Sequence, residues 1–447
     1  MRSALIFLLL LGAAACSRAS SPEPAEPRLP RACRKVDPPP RLEPPPDLQT
    51  ITSHVTVRAS VTEQRLRQEV ASALPETLDS GQRTMSGVRV SYAVKRGDLA
   101  FSLDSNRLVL TTPIQASASV CKTLGPLCPV LGRCAPQLDV RVAVPVVLAS
   151  DYSYDPSEVN VTLVRGCTIA GFDASGEIQS RAASEARNAQ RQIDRQLPPV
   201  REHAAAGWQQ MHRTLALDGG ACLRSVPRSV QQERPRRADG AISSAASISG
   251  ELSLESPCSD QPPPNPSELP PLEVSDAVPD GIRLRAPLHL QWDAVLAALH
   301  ESLTGKVAIR RLAVRAASIA KQARLVLELE LEDDPCGPVF LSAEPWFDAG
   351  QEVIRLRDVA LVPDWNPKRK LDDLRAKLER HSRIPLPVEL ADLHHELDRA
   401  RAEFVPAIDE VDVEIELGAP SVERVLLDAR GLVPVVSVAG SATVRGE

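Results

Sequence analysis

Aromatic side chains are scarce in this chain of 447 residues, where Phe, Trp and Tyr together make up 3%. Sugar-binding sites and sites that stack nucleic-acid bases depend on aromatic faces, so both become poor candidates. The chain also lacks an excess of positive charge, with a formal net charge of −6 and a pI of about 5.9. Because non-specific nucleic-acid binding needs a basic surface, we expect no nucleic-acid partner.

Recognisable catalytic and cofactor motifs are also missing. The chain contains no Gly-x-Ser-x-Gly turn and no glycine-rich phosphate loop. Ser318-x-x-Lys321 has the spacing of penicillin-binding enzymes, but those enzymes also need a Lys-Thr-Gly motif, which this chain lacks. His394 and His395 are adjacent, so on a helix they point to different sides, unlike the histidine pair of a zinc site. We expect a non-enzymatic protein without a cofactor or a metal.

Residues 1–15 have the order of a secretory signal. Arg2 gives a positive start, residues 5–11 form an apolar run, and small residues lead to Cys16. The run is too short to span a bilayer as a helix. We interpret 1–15 as a signal peptide and Cys16 as the acylated residue of a bacterial lipoprotein. The alternative is an ordinary signal cut nearby, which leaves Cys16 a plain thiol. Ser17 rather than Asp follows the cysteine, and the resemblance to sorted lipoproteins then favours the outer membrane, facing the periplasm.

A proline-rich stretch follows the predicted acylation site. Residues 16–47 include two runs of three prolines among small and charged residues. This composition favours extended polyproline geometry and a semi-rigid tether. A second set of prolines within 257–280 predicts a linker between two halves. Every later apolar stretch is short or interrupted by charge, so we expect the membrane contact to be the lipid anchor.

Eight cysteines remain besides Cys16, and an even number in an exported chain predicts disulfides. The spacing does not fix which cysteines pair. Zinc is the alternative, but the chain has no Cys-x2-Cys pair, and no His lies beside the most closely spaced cysteines. The disulfide candidates are Cys33, Cys121, Cys128, Cys134, Cys167, Cys222, Cys258 and Cys336.

The folded part begins with a change of periodicity. From residue 54 to 61 every second residue is apolar, which predicts a strand. Leu66, Val70 and Leu74 then recur at every fourth position, which predicts a helix with one apolar face. Pro75 is expected to end or kink that helix.

Longer patterns follow in the same half. Alternating runs at 108–120 and 138–148 exceed the usual strand of five or six residues and favour a large curved sheet. Residues 176–216 are rich in Ala, Arg, Glu and Gln, which are good helix formers. The prolines within 197–199 divide this stretch into two helices.

The second half repeats this order. Residues 282–290 alternate as a strand, and a helix that starts at Trp292 follows at once. We predict an α+β fold of two repeated units, 48–256 and 281–447, each a long curved antiparallel sheet packed on long amphipathic helices. Chance similarity between two Ala- and Val-rich stretches is the alternative.

Three segments carry a resemblance to a known family. They are the opening strand and helix that end at Leu74-Pro75, the helix that contains Trp208, and the turn from Gly337 to Asp348. Their order resembles that of the bacterial lipoprotein family called domain of unknown function 4403, for which no activity is established. The chain is also similar to tubular lipid-binding proteins, the group of bactericidal permeability-increasing protein. This second likeness implies a curved antiparallel sheet around a long helix, with lipid held between them.

Apolar strand faces and apolar helix faces in both halves predict a ligand-binding function. If small residues hold these faces apart, the space between sheet and helix becomes a groove for a lipid or an acyl chain. We therefore expect a membrane-anchored periplasmic lipoprotein that binds an apolar ligand. The alternative is an envelope scaffold with a filled core that docks protein partners. The candidate ligand-binding residues, which otherwise form the core, are Val55, Val57, Leu66, Val70, Leu74, Leu284, Trp292, Val295, Leu296 and Leu299.

Overall fold

The computed structural model describes Pro40 and residues 51–446, with gaps at 86–87, 124–126, 170, 260–267, 320–321, 333–336, 363–370 and 405–410. The predicted signal peptide and most of the predicted tether lie outside the described residues. So do the predicted acylation site Cys16 and two disulfide candidates, Cys33 and Cys336.

The first half runs from a strand and a helix through a meander of strands to two helices and a final hairpin. Its elements are β1 (Ser53–Thr62), α1 (Glu63–Ala73), β2 (Thr77–Met85), β3 (Val88–Arg96), β4 (Ala100–Asp104), β5 (Arg107–Lys122), β6 (Val130–Cys134), β7 (Gln137–Pro145), β8 (Glu158–Arg165), β9 (Thr168–Ile169), β10 (Phe172–Asp173), α2 (Ser175–Gln196), α3 (Val200–Met211), β11 (Thr214–Ala216), β12 (Cys222–Glu233), β13 (Arg236–Ala238) and β14 (Ala241–Glu255).

The second half follows the proline-rich segment. Its elements are β15 (Leu272–Ser275), β16 (Ile282–Pro287), β17 (Leu290–Gln291), α4 (Trp292–Leu303), β18 (Ile309–Ile319), β19 (Gln322–Leu331), β20 (Val339–Asp348), β21 (Val353–Leu361), α5 (Asp372–His381), β22 (Ile384–Pro385), α6 (Leu390–Phe404), β23 (Val411–Leu417), β24 (Ser421–Leu427) and β25 (Gly431–Gly446).

The strands form sheets that are mainly antiparallel. The central sheet has the order β11-β12-β14-β1-β16-β25-β17, and β23 and β24 also pair with β25. The first-half sheet has the order β2-β3-β5-β7-β8, with β4 and β6 both paired to β5. The second-half sheet has the order β18-β19-β20-β21-β22. The predicted α+β class with antiparallel sheets is confirmed.

Strand β1 joins the two halves within the central sheet. Val55 pairs with Ile248 of β14 on one side and with Ile282 of β16 on the other. The Arg58 guanidinium donates to the carboxylate of Glu233 at 2.8 Å, and the Glu233 side chain is 1% exposed. Because an unpaired buried carboxylate is strongly destabilising, this ion pair fixes β1 relative to β12.

The helices lie where the sequence predicts them, but most are shorter than predicted. The helix predicted around Leu66 and Val70 is α1, which begins after Thr62, whose hydroxyl accepts a hydrogen bond from the Arg65 N–H at 3.3 Å. Helix α2 has 22 residues, but α4, α5 and α6 have 12, 10 and 15. Long helices in both halves are therefore not confirmed. Among the described residues no helix combines the length and the apolar character needed to cross a membrane.

The largest cluster of buried apolar residues, which we call the second-half core, lies mainly between the second-half sheet and α4 to α6. Leu325, Leu327 and Leu329 occupy alternate positions of β19 and are 0% exposed. Glu328 and Glu330 take the intervening positions and remain partly exposed. The period of two thus places one side of β19 in a dry interior.

Candidate apolar ligand-binding site

The predicted ligand-binding residues of the second half lie in the second-half core. Val295 and Leu299 of α4 are 0% exposed and belong to the buried cluster, and the other three predicted residues of this half pack against it. The Trp292 indole N–H also donates to the Ala429 carbonyl oxygen at 2.9 Å. Val295 and Leu299 thus occupy core positions, whereas Leu284, Trp292 and Leu296 lie at the margin of the core and are partly exposed.

The predicted ligand-binding residues of the first half are less buried. Val55 and Val57 of β1 are both partly exposed. Leu66, Val70 and Leu74 share one side of α1 and its C-terminal end, but α1 contains no buried residue. The two predicted sets therefore differ in burial, since the second-half set lies in or against the second-half core and the first-half set lies nearer the surface.

One side of the first-half sheet is a continuous apolar surface, which we call the apolar face. Val94 of β3 pairs with Ala116 of β5, and Val142 of β7 pairs with Leu110 of β5 and with Val159 of β8. Directly paired residues point to the same side of a sheet, so the apolar positions of four strands share one surface. The face comprises alternate residues of 88–94 on β3, 108–120 on β5, 138–144 on β7 and 159–163 on β8.

The other side of the same sheet is mainly polar, apart from Val109 of β5 and Ala143 of β7, which pair with one another and are buried. Ser117 of β5, Arg141 of β7 and Asn160 of β8 hold the intervening positions. Ser117 and Asn160 are exposed. The sheet is thus amphipathic in cross-section, with one side suited to water and one suited to apolar contact.

Small residues lie in the middle of the apolar face. Ala116 and Ala118 are partly exposed on β5. Ala118 pairs with Tyr92 of β3. The Tyr92 ring lies over Gly81 of β2, away from β5, since a Cβ added at Gly81 would be 3.2 Å from the Tyr92 hydroxyl oxygen. The two alanine methyl groups therefore leave a shallow depression in the apolar face, and the Tyr92 ring does not cover it.

Burial distinguishes this face from its counterpart in the second half. In the second-half sheet, Leu327 of β19 and Leu341 of β20 pair with one another and both are 0% exposed. On the apolar face, Val90, Val120 and Val140 all remain partly exposed. Similar strand patterns thus end in a dry core in one half and in an incompletely covered surface in the other.

Helix α2 lies against β8, the outer strand of the apolar face. Ile178, Ala182 and Ala186 follow one another at every fourth position and are among the less exposed residues of the helix. The Ser157 N–H donates to the Asp194 carboxylate at 2.9 Å, which ties the helix to the start of β8. The helix therefore forms one wall beside the face, while the β3 and β5 side chains stay accessible.

Three disulfides among the described residues confirm the predicted use of cysteine. Cys121 pairs with Cys128, Cys134 with Cys167, and Cys222 with Cys258. The first closes the turn between β5 and β6, and the second ties β6 to the segment after β8. Both therefore hold the same end of the first-half sheet.

Residues that suggested catalysis or metal binding remain apart from the apolar face. His394 Nε2 lies 3.6 Å from the Asp398 carboxylate on the same helix, and Lys321, the partner of Ser318, lies outside the described residues. Cys222, Glu255 and Cys258 bring three ligand atoms together within the described ranges. The two sulfurs are joined in a disulfide, so they are not thiolate ligands.

Helix α3 is anchored by an aromatic contact. Trp208 is 2% exposed, and its ring meets the ring of His212 edge to face at 5.5 Å between centroids. Burial lowers the pKa of His212, and repulsion from Arg228 of β12 lowers it further. The neutral imidazole thus belongs to the packing between α3 and the central sheet.

The sequence singled out only part of the apolar face. The alternating runs on β5 and β7 were evident, but the shorter run of Val88, Val90, Tyr92 and Val94 on β3 was not, although it has the same period of two. None of these strand residues was chosen as a ligand contact. A preference for these residues over those of α4 requires the burial of each sheet, which the sequence does not give.

The fold and the apolar face define a mainly antiparallel α+β protein with one closed core and one partly open apolar sheet surface. The chain belongs to the family described as Domain of unknown function (DUF4403), whose model matches residues 52–445. This confirms the resemblance found in the sequence. No curated protein matches the chain.

Two solved structures are similar to the chain. Lipopolysaccharide binding protein has 10% sequence identity and a TM-score of 0.25, over 91% of this chain and 100% of that one. P47 of Clostridium botulinum E1 has 9% identity and a TM-score of 0.19, over 88% of this chain and 100% of that one. Scores this low carry no argument about fold or function.

Proposed function

We propose that this protein holds an acyl chain on the apolar face of the first-half sheet. One observation carries the proposal. Apolar side chains of four adjacent strands share a surface, and those at its centre, including Val90, Ala116 and Val140, stay partly exposed. Because exposed apolar surface is unfavourable in water, an apolar ligand that covers it stabilises the complex.

The chemistry of the face favours a hydrocarbon over a polar ligand. Its positions are mainly Val, Ala, Leu and Ile. The polar groups are the hydroxyls of Tyr92 and of Thr112, which is 4% exposed and donates to the Gly97 carbonyl oxygen. Each methylene that becomes buried against such a surface contributes about 0.8 kcal/mol. Some ten buried methylenes contribute roughly 8 kcal/mol, to be set against a cost of association that begins at about 4 kcal/mol.

The binding of a hydrocarbon chain needs no catalytic group, and we propose that the protein is not an enzyme. We also propose that the chain is exported, acylated on Cys16 and anchored at the outer membrane, facing the periplasm. The charged start, apolar run and small residues before Cys16 support this. The three disulfides fit an oxidising compartment.

We further propose that the two halves are copies of one unit. In the first half β1 leads into α1, a meander, the pair α2 and α3, and a return strand, β14, that pairs with β1. In the second half β16 and β17 lead into α4, a meander, the pair α5 and α6, and a return strand, β25, that pairs with β16. This shared order supports a duplication in which one copy closed its sheet and the other kept an apolar surface open.

A protein-docking scaffold is the second candidate. The filled core of the second half favours it, since Val295 and Leu299 of α4 are 0% exposed among other buried apolar side chains. A scaffold needs no bound lipid, so lipid content separates the two proposals.

The test fills the apolar face with a bulky side chain. Ala116→Trp projects an indole over the face, whereas Ser117→Trp, on the next residue of β5, projects the same group into water from the polar side. If the indole displaces about three methylenes, acyl-chain affinity falls by roughly 60-fold in Ala116→Trp. Affinity stays near that of the wild type in the Ser117→Trp control.

Binding is measured by displacement of a fluorescent fatty acid, and co-purified lipid by solvent extraction and mass spectrometry. Circular dichroism shows whether each variant keeps its sheet content. Wild-type protein with neither extractable acyl lipid nor saturable binding would contradict the proposal and leave the scaffold. An equal loss in both variants would place the ligand elsewhere.

A further inference from the structure

The end of the first-half sheet that is closed by disulfides exposes large apolar side chains to water. Leu127 is 69% exposed, Val130 52% and Leu131 47%. Val130 pairs with Cys121 at the end of β5, and Cys121 is bonded to Cys128. We call this end of the sheet the tip. The disulfide closes the turn, and Leu127, Val130 and Leu131 stay exposed beside it.

The strands that build the tip carry basic residues and no carboxylates. Strands β3, β5 and β6 together contain six Lys or Arg and neither Asp nor Glu, and one of the six, Arg107, lies at the other end of β5. The chain as a whole has a net charge of −6. The positive charge of these segments is therefore a local feature in an acidic protein.

Register places several of these cations at the tip. Lys122 pairs with Val88 at the last position of β5, Arg89 pairs with Cys121, and Arg133 of β6 pairs with Ser119. Lys122 and Arg133 are exposed. They lie within a few residues of Leu131 on adjacent strands, so charge and apolar surface occur together.

These cations differ from the arginines at the opposite end of the same sheet. There, Arg141 pairs with the Asp104 carboxylate at 2.9 Å and Arg107 with that of Glu158 at 3.5 Å. Within the ranges that the structure describes, Arg89, Lys122 and Arg133 form no ion pair. Their charges are therefore free to attract an anionic partner.

We propose that the tip docks on the surface of an anionic phospholipid bilayer. Leu127, Val130 and Leu131 enter the interfacial region, and Lys122 and Arg133 approach the lipid phosphates. An interface that is apolar at its centre and basic around it matches a charged leaflet, in which hydrocarbon lies beneath a layer of negative headgroups. This contact is separate from acyl-chain holding and does not need the anchor at Cys16.

The test uses the chain from Ser17 onward, which has no acyl anchor and keeps every described residue. Binding to vesicles is measured by co-flotation with phosphatidylcholine alone and with phosphatidylcholine mixed with phosphatidylglycerol. A basic residue near an anionic leaflet contributes about a fivefold gain in partitioning. Lys122→Gln with Arg133→Gln should therefore weaken binding to the anionic vesicles by roughly 30-fold.

Two controls separate the tip from general charge. Arg67→Gln with Arg181→Gln removes the same charge from exposed positions on α1 and α2 and should leave binding within about twofold of wild type. Leu127→Ser with Leu131→Ser keeps the charge and removes the apolar contact, so binding should weaken and become more sensitive to salt.

Equal binding of the wild type to neutral and anionic vesicles would overturn the proposal. So would a loss of binding in Arg67→Gln with Arg181→Gln as large as that in Lys122→Gln with Arg133→Gln. Size-exclusion chromatography adds a further outcome. A dimer that Leu127→Ser with Leu131→Ser dissociates would assign the tip to self-association instead. Fatty-acid displacement by the tip variants should match the wild type, so failure here is distinct from failure of the acyl-chain proposal.

Discussion

Truncation of one leucine in each predicted ligand-binding set distinguishes core from surface. Leu299 of α4 is 0% exposed and packs within the second-half core. Leu299→Ala removes about three methylene equivalents, worth roughly 2.4 kcal/mol by transfer. The cavity that remains adds to this, because a core enclosed by a sheet and three helices relaxes only in part. We expect the free energy of unfolding to fall by about 3–5 kcal/mol.

Leu66→Ala is the matched control, since it deletes the same atoms from a helix face. Leu66 is partly exposed, and α1 has no buried residue. Less transfer free energy is lost and water can fill the space, so we expect a change of about 1 kcal/mol or less.

The assay is urea unfolding, followed by tryptophan fluorescence and by far-ultraviolet circular dichroism. The change in midpoint multiplied by the common slope gives the difference in unfolding free energy, provided that both probes show one coincident transition. Similar losses in the two variants would refute the distinction between closed core and open surface. A small loss in Leu299→Ala would mean that α4 moves away from the sheet easily, and would reopen the case for a groove there.

Two further outcomes follow from the first half and its junction with the central sheet. Cys222→Ser with Cys258→Ser opens a loop with a sequence separation of 36 and should lower the free energy of unfolding by about 3–4 kcal/mol. The measurement is urea unfolding with and without reductant. Equal stability of the variant and the wild type under oxidising conditions would contradict this prediction. The pKa of His212 is lowered in the folded protein, so His212 in the unfolded chain binds a proton first as the pH falls through its ordinary pKa of 6.5. The stability of the protein should therefore decline from that pH towards the lower pKa of the folded state. His212→Gln should reduce that decline in urea midpoints measured between neutral and mildly acidic pH, and an unchanged profile would show that His212 does not contribute to it.

Local sequence patterns predicted the elements of this fold well. The alternation in 54–61 corresponds to β1, and the recurrence of Leu66 and Val70 corresponds to α1. The prolines after Leu197 separate α2 from α3 as expected. These features depend on neighbours a few positions away, where strand period, helix period and proline geometry act directly.

The candidate site was harder to predict from the same patterns. The α4 residues and the β3 residues are both apolar and periodic, yet Val295 is 0% exposed and Val90 is partly exposed. Periodicity tells which side chains share a face, but it carries no information about what lies opposite. That depends on contacts between segments far apart in the chain, such as β1 with β14 and β16.

The sequence by itself determined the order of strands and helices, the amphipathic character of each, and an even set of cysteines suited to disulfides. Only the tertiary structure decided which apolar surface is covered. In the second half, α4, α5 and α6 pack against the sheets and close the core, whereas in the first half α2 lies along the outer strand β8. A helix seals a sheet only when it crosses the sheet's apolar side, and its position there is set by packing across the whole chain rather than by its own residues.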